Sequence, residues 1–341
     1  MQPISKNPEA DGASDGPSKS RGRYLQNVLK VVVSTGLLAL VILQADLGAV
    51  WDQVARADPV GLALALLVVQ AGVMLRAGRW MALMRGLGDT SPYKTLLYLY
   101  YVGAFFNTFL PTGFGGDAIR IYELSQGGST ASAISTVLAE RALGLLVQFA
   151  AALAVLPFAW RLVPSEIALL LLAIVVVTFV ATALFMNHSV MSWVMTNVPL
   201  AKAVLTHPKV QALYASFHRY PRRSLTRAVG VSLVFTATLV LSQLLLGRAI
   251  GIDLGIAHYA VFVPILSTLL LVPITIGGLG VREGGYVLLF GQAGVPHDQA
   301  LALSLLTYAM ALVSGIIGGV LYVTVGALRL RAGRDRTLGA R

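Results

Sequence analysis

The chain has 341 residues, of which 56% are hydrophobic and only 12% charged, and its mean hydropathy is +0.75. Soluble globular chains carry about 25% charged residues, so a soluble enzyme or binding domain is excluded and a polytopic membrane protein is expected. Twenty-six Lys and Arg against 15 Asp and Glu leave a net charge of +11. The excess sits at the ends of apolar segments, where it sets membrane orientation, and no nucleic-acid partner is implied. There is no cysteine, and the five histidines show no metal-ligand spacing. Disulfides and thiolate chemistry are excluded, and no metal or other cofactor is expected.

In chain order, residues 1–24 read as a polar cytoplasmic tail without a signal peptide. Full-length apolar spans are expected at roughly 28–45, 60–83, 131–157, 166–187, 227–250 and 300–326, followed by a basic cytoplasmic tail over 328–341. Two further apolar stretches, 95–127 and 259–295, are broken at their centres by Pro and a glycine cluster. Each reads either as a re-entrant helical hairpin or as a full crossing. The positive-inside rule favours hairpins, because only then does the loop with Lys202, Lys209, Arg219, Arg222 and Arg223 share a side with both basic tails. Arms of about 16 residues reach about 24 Å, past the midplane but short of the far side. The expectation is therefore an all-α polytopic membrane protein with about six spans and two re-entrant hairpins; eight crossing helices are the alternative. Trp51, Trp80, Trp160 and Trp193 fall at segment ends, as interfacial rings do.

The two breaks share one register. Pro111-x3-Gly115-Gly116-x3-Arg120 recurs 162 positions later as Pro273-x3-Gly277-Gly278-x3-Arg282. Each half, about 25–160 and 165–327, then reads as span, span, hairpin, span. Three crossings per half invert the second half relative to the first, an arrangement that transporters use around a midplane site. Helix breaking and close packing alone also account for paired Pro and Gly.

A helix starting after each glycine pair directs free N–H groups and a positive dipole end toward the break, which favours an anion. Arg120 and Arg282 add guanidiniums suited to a phosphate. Substrate-binding candidates are thus Arg120, Arg282, Gly115, Gly116, Gly277, Gly278 and Asp117, with Asp117 also placed as a helix N-cap. Against this, Arg120 pairs equally well with Asp117, and Arg282 with Glu283 or Glu140. Glu140, inside a span, requires a partner or a wet cavity, and Arg141, pointing about 100° away, requires its own. Glu140, Arg141 and Glu283 are the coupling or ion-pair candidates. Arg76 and Arg79 read as snorkelling to head groups. The aromatic run from Tyr98 to Phe109 reads as packing, and Gly315-x3-Gly319 packs a neighbouring helix or forms a homodimer seam.

Taken together, Arg76-x2-Arg79-Trp80, Phe105-Phe106-Asn107-x3-Pro111-x3-Gly115-Gly116-Asp117-x2-Arg120, Glu140-Arg141-x2-Gly144 and Gly277-Gly278-x-Gly280-x-Arg282-Glu283-Gly284 resemble the flippase-like transmembrane domain of lysylphosphatidylglycerol synthases over about 25–327. The resemblance implies a lipid translocase of a bacterial inner membrane, with both termini cytoplasmic. Its polar positions would be Asp117, Arg120, Glu140, Arg141, Arg282 and Glu283. The chain ends soon after its last span, so the synthase activity of bifunctional members is not expected and the protein is not read as an enzyme. Membrane lipid is the expected partner, of an anionic phospholipid, aminoacylated phosphatidylglycerol or polyprenyl phosphate type. The alternative is an accessory subunit of a lipid-modifying or glycosyltransferase enzyme.

Overall fold

The computed structural model describes residues 43, 47–109, 115–126, 130–159, 220–269 and 278–338, together with isolated positions between 165 and 197. Most of the expected spans at 28–45 and 166–187, the residues Pro111, Pro273 and Gly277, and most of the basic loop before Arg222 lie outside the described residues. Nine helices and no strand occur among the described residues: α1 (Leu47–Ala55), α2 (Pro59–Gly86), α3 (Tyr93–Phe109), α4 (Gly115–Ser125), α5 (Thr130–Ala159), α6 (Arg222–Ala249), α7 (Ile256–Leu269), α8 (Val281–Gln292) and α9 (His297–Leu338). Four of them (α2, α5, α6 and α9) are long and apolar enough to cross a membrane. They correspond to four of the spans expected from hydropathy.

Helix limits follow from local chemistry. Asp58 caps α2 by accepting hydrogen bonds from the Val60 and Gly61 N–H groups at 3.2 and 2.8 Å, and Pro59 opens the first turn, where a missing N–H costs nothing. Just past the ends of α2 and α6, Gly88 and Gly251 take φ of +82° and +80°, the left-handed turn that ends a helix and that a side chain disfavours.

The polarity of the bundle is inverted relative to a soluble protein. Leu64, Leu67, Leu233, Val234, Ile316 and Val320 are exposed, whereas Arg79, Arg120, Glu140, Gln148, Ser242, Gln243, Arg282 and Glu283 are buried. An apolar exterior around a polar interior is stable only in hydrocarbon, where charged groups turn toward the bundle. The multi-pass membrane class is therefore expressed in the packing as well as in composition.

Small residues allow the helices to approach closely. Gly61, Gly72 and Gly86 of α2 meet Ala249, Phe235 and Ser224 of α6 in turn, so these two helices run antiparallel along their whole length. Within the first broken segment, Asn107 lies against Gly116, and Gly103 against Gly116 and Arg120. Position rises in α3 as it falls in α4, and the chain has reversed direction. The second broken segment does the same, with Leu266 on Gly285 and both Phe262 and Tyr259 on Phe290, at ring separations of 5.2 and 5.5 Å.

Helix α9 lies along α3. Gly318 and Gly319 meet the Tyr101 carbonyl and the Phe105 ring, and Gly315 meets Thr108. The Gly315-x3-Gly319 pair is thus packed on a neighbour within the chain. Phe106 packs edge-on against Tyr322 at 5.4 Å, so the aromatic run is indeed packing at this point. Helix α7, following α6 as α3 follows α2, rests on α5.

Candidate functional site

The buried polar residues of the first half converge on one cluster. Glu140 of α5 accepts hydrogen bonds at Oε1 from Arg79 of α2, through Nε at 2.9 Å and also through Nη2. Its second oxygen accepts from Nη2 of Arg120 of α4 at 3.4 Å. A single carboxylate therefore joins three helices. Arg79 also donates to Ser232 Oγ of α6 at 3.2 Å, which ties in a fourth. Arg120 reaches Asp117 Oδ1 at 3.3 Å, and Arg141 pairs with Asp117 Oδ2. Glu140 and Arg141 have separate partners, as their angular separation on α5 requires.

The Arg120 guanidinium also lies over two aromatic rings, 4.0 Å from the Trp80 centroid and 4.1 Å from that of Tyr100. Such cation–π contacts strengthen where water is excluded, and Arg120 is only 4% exposed. Its Nε nevertheless has no hydrogen-bond partner among the described residues, and neither does Gln148 Nε2.

Two adjoining cavities open beside this cluster. The larger, about 330 Å3, lies where α2, α3, α4, α6 and α9 meet, and the smaller, about 230 Å3, extends toward α5. Arg76, Asn107, Asp117, Arg120, Phe235 and Leu239 border both. Arg79, Glu140, Arg141 and Gln148 line the smaller one. The lining of the larger cavity includes polar residues, among them Arg76, Asn107, Gln243 and Thr307, and apolar ones, among them Val68, Val69, Leu246 and Met310. Six charged residues border the pair: Arg76, Arg79, Arg120 and Arg141 against Asp117 and Glu140. Four arginines thus stand against two carboxylates along these walls.

Arg76 accounts for much of that imbalance. It faces the rings of Tyr100 and Phe235 at 5.2 and 5.6 Å and has no carboxylate partner among the described residues. Snorkelling accounts for neither Arg76, which borders both cavities, nor Arg79, which is 5% exposed and locked to Glu140. Trp80 is likewise no interfacial ring, being completely buried beneath Arg120. The sequence signal for these three was Glu140 itself: a carboxylate buried in a span demands a cation, and the arginines at the end of the preceding span were available.

Asp117 occupies the third position of α4, not its cap. The start of that helix is served from another element, since the Gly116 N–H donates to Asn107 Oδ1 at 2.8 Å. Gly116 is buried against the Gly103 backbone, where a Cβ would collide with the carbonyl. Gly115 and Gly116 border neither cavity.

The second half differs. Arg282 pairs with Glu283 beside it and lies 4.4 Å from the Tyr308 ring. Glu283 in turn accepts the Gly280 N–H at 2.6 Å, closing the start of α8, where Gly280 has φ +80°. Arg282, Glu283 and Gly278 border neither cavity. The α6–α9 contact carries an uncharged group, in contrast to the α2–α5 ion pair. Gln243 Nε2 donates to Thr307 Oγ1 at 2.9 Å, and the Tyr286 hydroxyl lies 3.3 Å from the same oxygen.

Residues 27–319 match the family described as the lysylphosphatidylglycerol synthase TM region. The chain is also similar to a UPF0104 membrane protein of Methanothermobacter thermautotrophicus, at 22% identity over 301 residues covering 81% of this chain and 88% of that protein. With most of its length matched, the chain belongs to the lysylphosphatidylglycerol synthase TM-region family.

Proposed function

We propose that this member of the lysylphosphatidylglycerol synthase TM-region family moves an anionic, phosphate-bearing lipid head group between the leaflets of a bacterial inner membrane. The observation that carries the reading is Arg76, which forms no close ion pair among the described residues, on the wall of a cavity of about 330 Å3 with both polar and apolar lining. That volume lies at the small end of ligand sites. It admits a head group and leaves the acyl chains in the bilayer, where the exposed apolar faces of α2 and α6 meet them. An anion entering between Arg76, Arg120 and Arg141 gains charge-assisted hydrogen bonds and the attraction of their charges. In this reading the chain is a carrier and not an enzyme, and any glycosyltransferase or lipid-modifying partner acts on what it delivers.

The topology proposed with it is six spans and two re-entrant hairpins in an inverted repeat, with both termini cytoplasmic. The reversal of direction within each broken segment supports hairpins over full crossings. Helices α2 and α6, both 28 residues long, are followed by the same order of broken pair and long helix, which supports the repeat. Rocking of the two halves around the cavity would then expose it alternately.

The test is head-group-resolved translocation in proteoliposomes, comparing wild type with Arg76→Ala. Movement of anionic lipid that vanishes in the variant is the expected result. Movement unchanged by Arg76→Ala would remove the assigned site, and no movement of any lipid by folded protein would remove the carrier reading itself.

A further inference from the structure

We infer that the larger cavity binds a lipid phosphate whose head group is an uncharged polyol, a glycerol or a sugar-like ring, and that Gln243 is the residue that reads its hydroxyls. The inference rests on the carrier reading above and names its substrate class. It starts from the two ends of the cavity. Arg76, Asp117 and Arg120 are the charged residues among the described lining. Arg76 lies 5.6 Å from the Phe235 ring, and Gln243 follows Phe235 by eight residues on α6, about 12 Å further along the helix at about 1.5 Å per residue. Around Gln243 the lining comprises Ser242, Leu246 and Thr307, with no charged side chain among the described residues. A phosphate drawn to the arginines therefore presents what it carries to amide and hydroxyl groups.

Hydroxyls suit that end better than an ammonium does. Gln243 Nε2 donates to Thr307 Oγ1 at 2.9 Å, and its Oε1 lies 3.3 Å from the same hydroxyl. A primary amide has two N–H donors and two acceptor lone pairs, so Gln243 keeps one of each for a ligand. A hydroxyl both donates and accepts and can use both; an ammonium only donates. An ammonium also finds no carboxylate waiting for it. Asp117 Oδ1 pairs with Arg120 and Oδ2 with Arg141, while Glu140 Oε1 pairs with Arg79 and Oε2 with Arg120, so every carboxylate oxygen bordering the cavities already holds an arginine. A head group bearing an aminoacyl ammonium would lose water beside these guanidiniums without gaining a counter-ion.

The experiment is equilibrium binding to the full chain in phosphatidylcholine nanodiscs, with empty nanodiscs subtracted. Three probes share one acyl chain and one negative charge: lysophosphatidylglycerol, lysophosphatidylinositol and lysophosphatidylethanol, the last without head-group hydroxyls. The lysyl ester of lysophosphatidylglycerol supplies the ammonium, and glycerol 3-phosphate the head group without lipid. Two neutral hydrogen bonds predict about tenfold tighter binding of at least one polyol probe than of lysophosphatidylethanol. The glycerol and inositol arms show which polyol is preferred. In Gln243→Leu, with its melting temperature checked, the polyol-to-ethyl ratio should fall to about twofold or less. Should that variant not fold, the wild-type ratio still decides the ligand class, and Thr307→Val tests the same end. Equal affinities of the three monoanions would overturn the polyol assignment while leaving an anionic-lipid carrier intact. The lysyl ester binding as tightly as its parent would overturn the exclusion of an ammonium, and glycerol 3-phosphate binding as tightly as lysophosphatidylglycerol would overturn the lipid part. A ratio that survives Gln243→Leu would refute the role given to Gln243, and no binding of any probe would overturn the carrier reading as well.

Discussion

Arg79 and Glu140 stand 61 positions apart in the chain, yet Arg79 Nε donates to Glu140 Oε1 at 2.9 Å in the buried centre of the bundle. Removing one partner of such a pair strands the other charge, a loss of about 3–5 kcal/mol. Glu140→Gln and Arg79→Gln should each lower the melting temperature strongly. The double substitution, which strands neither charge, should recover part of the loss. A double-mutant cycle of thermal unfolding in detergent measures the coupling, and additive losses would contradict the pairing.

Gly144 lies one turn beyond Glu140, and a Cβ there would sit 2.6 Å from Arg79 Nη1. Gly144→Ala should therefore disturb the ion pair and lower stability, although it changes no charge. Gly230→Ala is the matched control, because nothing lies within 4 Å of a Cβ at that exposed helical position; it should be neutral or stabilise by about 0.5–1 kcal/mol. Parallel thermal scans of the two variants decide the point.

Arg120 and Arg282, equivalent in the repeated motif, should separate on substitution. Arg282→Gln breaks a local pair with Glu283 away from both cavities, so the melting temperature falls while the folded fraction still binds lipid. Arg120→Gln removes a cavity donor as well as a cation from Glu140 and Asp117, so both properties fall. Binding normalised to folded protein, measured beside melting temperature, distinguishes the two.

The absence of cysteine makes the proposed topology accessible to single-site labelling. With a membrane-impermeant reagent on intact cells, Gln53→Cys should be modified from outside. Ser125→Cys and Ser216→Cys should react only after the inner face is exposed. External modification of Ser216→Cys would favour eight crossing helices.

The parts of this architecture that depend on sums along the sequence were legible in it. Hydropathy located α2, α5, α6 and α9, and the Pro/Gly breaks fall between α3 and α4 and between α7 and α8. The pairings within one helix, Arg120 with Asp117 and Arg282 with Glu283, were legible as well; those of Arg79 and Asn107 were not, because they depend on the rotation and register of separate helices. Arg79 at the end of an apolar run has the same local pattern whether it turns to head groups or to Glu140. Asn107 capping α4 through the Gly116 N–H has no local signature, since the acceptor precedes the helix by a whole turn of the fold. The motif symmetry of Arg120 and Arg282 left open which of them takes Glu140; among the described residues it is Arg120, while Arg282 pairs with the next residue.

That difference has a dynamic corollary. The α2–α5 joint carries an ion pair, and the α6–α9 joint is held by Gln243, Thr307 and Tyr286 without charge. In the proposed alternation the halves trade postures but cannot trade these joints, so the inward-facing and outward-facing conformers are not energetic mirror images. A carrier of the proposed kind would then have a built-in resting posture when empty, and its return stroke without cargo would be biased by the protein itself, before any lipid gradient acted on it.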